Sequence, residues 1–438
     1  MRIQLVTLGC SKNRVDSEHL LRQLHSEGVE IIPEGTDPGK NGVDAIILNT
    51  CGFIKDAKQE SIDAIFAAVD AKNRGAAKRV LVFGCLSQRY GVELKETIPE
   101  VDGFYGAFDQ HSVVAALGVL WKPGLSNLRY LTTPSHYAYL KISEGCDRLC
   151  AFCSIPLIRG PHKSVPEENL LEEAESLAAS GVKELILVAQ DTTYYGADIY
   201  KKRTIAALME RLSLVRGIEW IRLHYSYPSA FPEDLLRLMA SEPKICNYMD
   251  IPLQHVSDKV LAMMKRNITG DETRRVVEKF REMVPGIAIR TTMIVGHPGE
   301  DKKAFNELID FVKAVKFERL GAFTYSKEEG TYGAINYRDT IPQRVKDERY
   351  EQLMEVQSKI SLEFNLSRIG SKERVIIDSY DGKVYTARSM KESPEVDGEI
   401  LIGSGSTISG MKNNKIIGTF ANVLIEHADD YDLLARFV

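Results

Sequence analysis

The chain has 438 residues, 44% of them hydrophobic and 27% charged, which at about 150 residues per domain predicts two to four soluble globular domains with substantial cores. Lysine plus arginine number 56 against 61 aspartate plus glutamate, a net charge of -5 that excludes a wholesale polycationic nucleic-acid binder while leaving room for a local basic patch. The seven cysteines are an odd number, the start is too short in apolar residues for a secretory leader, and no stretch approaches the ~20 apolar residues of a membrane span; a cytoplasmic protein with thiols free for metal or catalysis is expected.

The first 120 residues alternate short apolar runs with amphipathic ones, the signature of an α/β fold with an open parallel sheet. Strands are predicted over 3–8, 45–49 and 79–83, with a helix capped by Asp16 or Ser17 running to about Glu27 and another over 57–74. A cysteine follows each of these strands almost at once, in Leu8-Gly9-Cys10, Asn49-Thr50-Cys51 and Phe83-Gly84-Cys85. In a parallel sheet that places all three at the carboxyl edge, where ligand crevices form.

A Pro- and Ser-containing connection over 121–135 marks a domain boundary. Six further strands are predicted, over 137–142, 184–189, 219–224, 248–251, 288–293 and 319–323, with helical patterns between them. Six strand–helix repeats are too few for the eight-stranded closed barrel but suit a partial (βα)6 barrel, with its chemistry at the carboxyl ends of the strands. Pro342 then opens a helical connector over 343–369, whose charged run 344–355 is expected to be a solvated face.

From 370 to 438 the pattern changes to short β-type runs, over 374–377, 384–387, 399–402 and 415–425, with turn signals at Asp381-Gly382 and Asp397-Gly398. That predicts a small antiparallel β-barrel. Residues 371–438 hold eight basic against eleven acidic side chains, a balance that a phosphate-binding surface would not show. The expected organisation is therefore 1–120, 135–342, 343–369 and 370–438.

The strongest chemical signal is Gly145-Cys146-Asp147-Arg148-Leu149-Cys150-Ala151-Phe152-Cys153, directly after a predicted strand. Three thiolates on one short loop can bind three corners of a four-iron four-sulfur cluster and leave one iron open to a ligand. A zinc knuckle is the alternative, but structural zinc takes four protein ligands and no fourth follows at the usual spacing. Cys10, Cys51 and Cys85 are either a second three-cysteine cluster site or three buried core thiols. Cys246, alone before the fourth strand of the second series, reads as an inert packed thiol. Gly403-Ser404-Gly405 with Gly410 lacks the Lys-Ser/Thr ending of a phosphate loop and reads as a barrel loop.

The CxxxCxxC loop after the first strand of a partial barrel resembles the radical S-adenosylmethionine enzymes. That resemblance implies that S-adenosylmethionine binds the open iron held by Cys146, Cys150 and Cys153, and that Phe152 packs near its adenine. With a three-cysteine α/β domain in front and a TRAM-type barrel behind, the whole chain resembles the methylthiotransferases within that group. Gly9-Cys10-Ser11-Lys12-Asn13 with Asp16-Ser17-Glu18, the segment Ala189-Gln190-Asp191-Thr192-Thr193-Tyr194-Tyr195-Gly196, and Asp250-Ile251-Pro252-Leu253-Gln254-His255 resemble the branch acting on a ribosomal protein more than the tRNA branch, which usually carries Gln-Met-Asn after the first cysteine.

The resemblance implies two 4Fe-4S clusters, the second on Cys10, Cys51 and Cys85 and holding the sulfur to be inserted. The substrate it implies is an aspartate of ribosomal protein S-twelve, free or in the small ribosomal subunit. An electron donor and a sulfur donor are the further partners, and no membrane is involved. No catalytic side chain is assigned beyond the cluster ligands. Pocket candidates at predicted strand ends are Gln190 and Asp191, the latter for ribose hydroxyls, then His224, Ser226, Gln254, His255, Arg290, Gly296 and Glu300; each has the alternative of satisfying backbone groups or making a turn. His297 departs from the phenylalanine common in the family. A tRNA adenosine methylthiotransferase and a two-cluster electron carrier are the competing functions.

Overall fold

The computed structural model describes residues 1–40, 42–403 and 416–438. The first segment builds β1 (Arg2–Thr7), α1 (Ser11–His25), β2 (Glu30–Ile32), β3 (Ala45–Thr50), α2 (Lys55–Asn73), β4 (Val80–Gly84), α3 (Cys85–Thr97), β5 (Gly103–Phe104) and α4 (Gln110–Ala116). The strands form one parallel sheet in the order β2-β1-β3-β4-β5. β1, β3 and β4 lie within one residue or so of the predicted runs; the edge strands β2 and β5 are too short to show a period. The predicted cap of α1 is corrected. The helix starts at Ser11 behind Cys10, with no side-chain cap, and Asp16 and Ser17 lie in its interior, where Asp16 pairs with Lys141 and Arg159 and Ser17 meets Thr7 and Asn49.

The expected boundary over 121–135 is strapped down. Arg129, buried, ion-pairs with Glu18 of α1 and with Glu173, and it donates to the Tyr139 carbonyl at 2.9 Å.

The central segment runs β6 (Tyr137–Lys141), β7 (Ser143–Glu144), α5 (Ile155–Arg159), β8 (Lys163–Ser164), α6 (Glu167–Ala179), β9 (Glu184–Val188), α7 (Ile205–Ser213), β10 (Trp220–Leu223), α8 (Glu233–Ser241), β11 (Ile245–Asp250), α9 (Asp258–Met263), α10 (Gly270–Met283), β12 (Ala288–Val295), α11 (Lys302–Val315), β13 (Arg319–Thr324) and α12 (Tyr332–Asn336). Six parallel strands stand in the order β13-β12-β11-β10-β9-β6, the unclosed sheet of a partial barrel.

Side chains alternate across this sheet as strand geometry demands. Leu185, Leu187, Ile221, Leu223, Met249 and Ile289 join the helices in the main core, while Ile186 and Val188 pack on the other face with Tyr137, Tyr139 and Val15 of α1. The first domain thus lays α1 against the concave face. Local signals fix the helix starts: Thr269 and Glu272 form a reciprocal capping box on α10, and the Asp301 carboxylate accepts from the Ala304 N–H at 2.9 Å on α11.

The last segment comprises α13 (Gln343–Ser367), β14 (Lys372–Tyr380), β15 (Val384–Arg388), β16 (Ile400–Gly403), β17 (Phe420–Ala428) and β18 (Leu433–Phe437). The strands close into a barrel in the order β14-β15-β16-β18-β17. It is antiparallel except for the parallel pair β16–β18, and β18 was not among the predicted runs. The predicted strand 415–425 is corrected to β17; Lys415, like the glycine-rich stretch Ser404 to Gly410, lies outside the described residues.

α13 is more than a connector with a solvated face. Lys346, Leu353, Gln357, Ile360 and Asn365 are buried on it, and Gln357 donates to the Phe317 carbonyl at 2.9 Å, so it covers the β13 side of the sheet. Among the described residues, no helix is long and apolar enough to cross a membrane.

Candidate functional site

Cys10, Cys51 and Cys85 end three neighbouring strands, and glycines let them converge. Gly9 has φ +86°, and a Cβ there would stand 2.6 Å from the Cys51 Cβ and 2.9 Å from its Sγ. A Cβ on Gly52 would stand 2.8 Å from the Cys85 carbonyl oxygen. Cys51 is held at its backbone by Ser61, whose hydroxyl accepts from its N–H at 3.0 Å and donates to its carbonyl at 3.1 Å. Burial pushes the Cys51 thiol up to about 12 and raises Cys85 as well, against the opposing field of Arg159.

Cys146, Cys150 and Cys153 lie on the loop after β7. Gly145, with φ +70°, passes so close to Pro161 that a Cβ would stand 2.0 Å from the Pro161 carbonyl oxygen, so no other residue fits this turn without moving the backbone. The loop is pinned by Cys146 N–H to the Gly160 carbonyl at 3.1 Å and Ala151 N–H to the Met264 carbonyl at 2.9 Å. The Cys146 sulfur accepts the Arg148 N–H at 3.4 Å, and the Cys150 sulfur faces Arg266 Nη1 at 3.5 Å. Burial pushes Cys146 up to about 12 and Cys153 above the ordinary thiol range.

Among the described residues, no three His, Cys, Asp or Glu side chains close around a single-ion site. Thiols holding three corners of a four-iron cube stand wider apart than ligands of one ion.

A chain of charges spans the two triads. Arg159, buried at the end of α5, points its Nε at the Cys85 sulfur at 3.3 Å, its Nη1 at Asp16 (2.9 Å) and Glu144 (3.1 Å), and its Nη2 at the Asn13 oxygen (2.8 Å). Lys141 pairs with Asp16 and with Glu144, the latter at 2.8 Å, and Gln190 donates to Glu144 at 2.9 Å. Burial alone would raise the Glu144 carboxyl, but Lys141 and Arg159 outweigh it and hold it at about 2. Lys12, two residues after Cys10, lies over the Tyr225 ring at 3.4 Å. A residue six positions past the second triad thus touches the first.

The predicted pocket residues fall into two groups. Gln190, Ser226, Gln254 and His255 sit just past the strand ends, and each keeps a buried polar atom without a partner among the described residues: Gln190 Oε1, Ser226 Oγ, Gln254 Oε1 and His255 Nε2. Gln254 adopts φ +73°, and burial keeps the His255 ring neutral, its pKa pushed down to about 3. Phe152 meets His297 edge-on at 6.4 Å.

The rest have partners, although Glu300 Oε1 and His297 Nε2 also lack a hydrogen bond among the described residues. Asp191 accepts from Arg148 at 2.8 Å and from Thr193 at 2.6 Å. His224 Nε2 lies 2.8 Å from the Ser393 hydroxyl of the barrel domain, and Arg290 pairs with Asp250 at 3.1 Å and Asp397 at 3.4 Å. Glu300 accepts from the Gly296 N–H and faces Arg349 at 3.4 Å, folding the Gly296–Glu300 turn. His297 Nδ1 lies 2.8 Å from the Pro298 carbonyl, and Cys246 packs with Trp220 and Tyr248.

Sequence reasoning did not single out Lys12, Glu144, Arg148, Arg159 or Arg266 as functional. Their nearness to the cysteine motifs is a signal for Lys12, Glu144, Arg148 and Arg159. Arg266 carries none, since it reaches Cys150 from 116 residues away.

The Radical SAM superfamily profile matches residues 140–312, a profile described as uncharacterized protein family UPF0004 matches 2–106, and the TRAM domain matches 369–438. Among solved structures, the radical S-adenosylmethionine methyltransferase TsrM from Kitasatospora setae superposes with a TM-score of 0.59 at 14% identity, covering 76% of this chain and 74% of its own, which speaks for the fold. The ribosomal protein uS12 methylthiotransferase RimO of Bacteroides fragilis is 49% identical, covering 100% of this chain and 99% of its own. That of Christiangramia forsetii is 50% identical over 99% of this chain and 93% of its own. At this identity over the full length, the chain belongs to the RimO family of radical S-adenosylmethionine methylthiotransferases.

Proposed function

We propose that this chain replaces a β-carbon hydrogen of an aspartate in ribosomal protein uS12 with a methylthio group. The observation that carries the reading is Arg159, six residues past Cys153, which donates to the Cys85 sulfur and to Glu144 two residues before Cys146, so that the segments flanking the second triad are tied to the first. Full-length relatives named uS12 methylthiotransferases supply the substrate. The β-hydrogen of aspartate is too weakly acidic for general-base removal near neutral pH. Bound together, a four-iron cluster and S-adenosylmethionine supply a 5'-deoxyadenosyl radical able to abstract such a hydrogen.

The residues fit both groups. Cys146, Cys150 and Cys153 would hold the first cluster, three thiols on a loop whose geometry glycine fixes. Cys10, Cys51 and Cys85 would hold a second, which would carry the sulfur to be inserted. The unpartnered polar atoms of Gln190, Ser226, Gln254 and His255 fit a polar cofactor such as S-adenosylmethionine, because buried donors and acceptors left without partners are costly. Arg266 and Arg148 put donors on the sulfur side of the loop. Phe152 and the buried wall of Val260, Met264 and Ala304 behind it offer an apolar surface for an adenine. A cytoplasmic setting with an electron donor and a sulfur donor completes the reading.

The test is anaerobic reconstitution with iron and sulfide, incubation with S-adenosylmethionine and a reductant, and then mass spectrometry of purified uS12 and of unmodified tRNA. We expect 5'-deoxyadenosine and a methylthio gain on uS12. Gain on tRNA alone would replace the substrate, and absence of 5'-deoxyadenosine under any reductant would leave an electron carrier.

A further inference from the structure

Lys12 is poorly placed for a cation with a purely structural role. It stands in the first turn of α1, where the partial positive charge of the helix repels it and where there is no acidic residue. The residue is 8% exposed, and burying an ammonium is expensive unless an anion is near. Glu144, a carboxylate whose field reaches it, is in contact with Lys141, Arg159 and Gln190 instead. Among the described residues, Lys12 forms no ion pair with a carboxylate.

What holds the ammonium is the face of Tyr225, 3.4 Å away. That platform is itself built at a cost. Tyr225 has φ +59°, a left-handed conformation that a bulky residue rarely adopts unless its surroundings impose it, and its N–H is tied to the Asp250 carboxylate at 3.0 Å. A cation and a strained aromatic support from two domains therefore meet at the carboxyl ends of the central strands, two residues from Cys10 and beside the charge chain that leads to the other triad.

We propose that Lys12 binds the carboxylate of the substrate aspartate and selects the acid over the amide. The proposal rests on the reading above that the substrate is an aspartate of uS12. The chemistry favours this use of a fixed cation, because the carbon that reacts is bonded directly to the carboxyl carbon. Fixing the carboxylate therefore fixes the reacting C–H to within one bond, the kind of positioning that raises effective concentration. A neutral base such as adenine would gain nothing comparable from an ammonium on a tyrosine face.

The test compares binding of purified uS12, and of uS12 with asparagine at the target position, to the reconstituted wild type, Lys12→Gln and Lys12→Arg, with iron content measured for each. The wild type is expected to hold the acid form about tenfold tighter than the amide, the size of one charge-assisted hydrogen bond. Lys12→Gln should abolish that preference by weakening the acid form alone, and Lys12→Arg should keep most of it. Loss of binding to both forms alike, or an unchanged preference, overturns the proposal; either result with lowered iron would make Lys12 a counter-charge for the site at Cys10. Failure of the substrate reading shows separately, as wild-type enzyme that binds S-adenosylmethionine yet leaves uS12 without a methylthio gain.

Discussion

Glu300 shows how burial turns one carboxyl into a pH-dependent element of stability. Burial raises its pKa to about 7 despite Arg349 and the backbone donors of Gly296 and His297. The folded chain therefore keeps a proton between pH 4.5 and 7 that the unfolded chain releases, so stability from this group falls as pH rises through that window, by about 3 kcal/mol in all. Glu300→Gln carries no such ionisation. Melting midpoints of the two proteins at pH 5 and pH 8 should show the variant gaining on the wild type at the higher pH, and a constant gap would refute the shift. At this scale the sequence made position legible: the six cysteines, Gln254 and His255 lie past strand ends where the apolar runs put them. It was silent on Arg159, because one arginine in a helical pattern looks like any solvated side chain until folding brings Asn13, 146 residues away, to its guanidinium.

Among the elements, the tight turns before the cysteines matter more than the helices after them. Gly9 and Gly145 both have positive φ and both face atoms that leave no room for a Cβ. Gly9→Ala would push against Cys51, and Gly145→Ala against the Pro161 backbone. If each triad holds a four-iron cluster, as proposed above, each variant is expected to lose about half of the iron after reconstitution while keeping its helical circular dichroism. Gly145→Ala should also abolish 5'-deoxyadenosine formation; full iron loading in both would show that the turns tolerate a side chain. The number of strands in the central sheet could be read from apolar runs because each run is buried and bounded by helical periods. The excursion from Ser389 to Glu399 could not. Its Asp397-Gly398 pair reads as a turn, yet Asp397 is used as a buried partner of Tyr248 at 2.6 Å and Arg290 at 3.4 Å, and a single aspartate carries no mark of which domain it will meet.

At the scale of the molecule, the barrel is joined to the radical core through a buried charge triad, and this joint sets how the two unfold. Glu184 of β9 accepts from Arg222 of β10 at 2.8 Å and ion-pairs with Arg388 of the barrel at 2.8 Å, with Arg222 and Glu184 fully buried. Beside it Trp220, Tyr248, Cys246 and Ala288 of the core pack against Ile376 and Phe420 of the barrel. Arg388 keeps Asp378 as a second partner at 2.6 Å, but Arg222 has no other carboxylate in contact among the described residues. Glu184→Gln would strand that guanidinium in the interior, a loss of about 3–5 kcal/mol. Trp220 lies at the joint and reports on it, so urea titration followed by tryptophan fluorescence is expected to show a lower midpoint in the variant. Replacing both Glu184 and Arg222 with methionine removes the uncompensated charge along with its partner and should recover much of the midpoint, as buried ion pairs exchanged for apolar volume generally do. If the double variant is as weak as Glu184→Gln, the arginines are holding the barrel, since Arg222 also donates to the Met390 and Ser389 carbonyls at 2.7 and 3.3 Å; Arg388→Met alone then reproduces the defect if Arg388 carries the hold and spares the midpoint if Arg222 does.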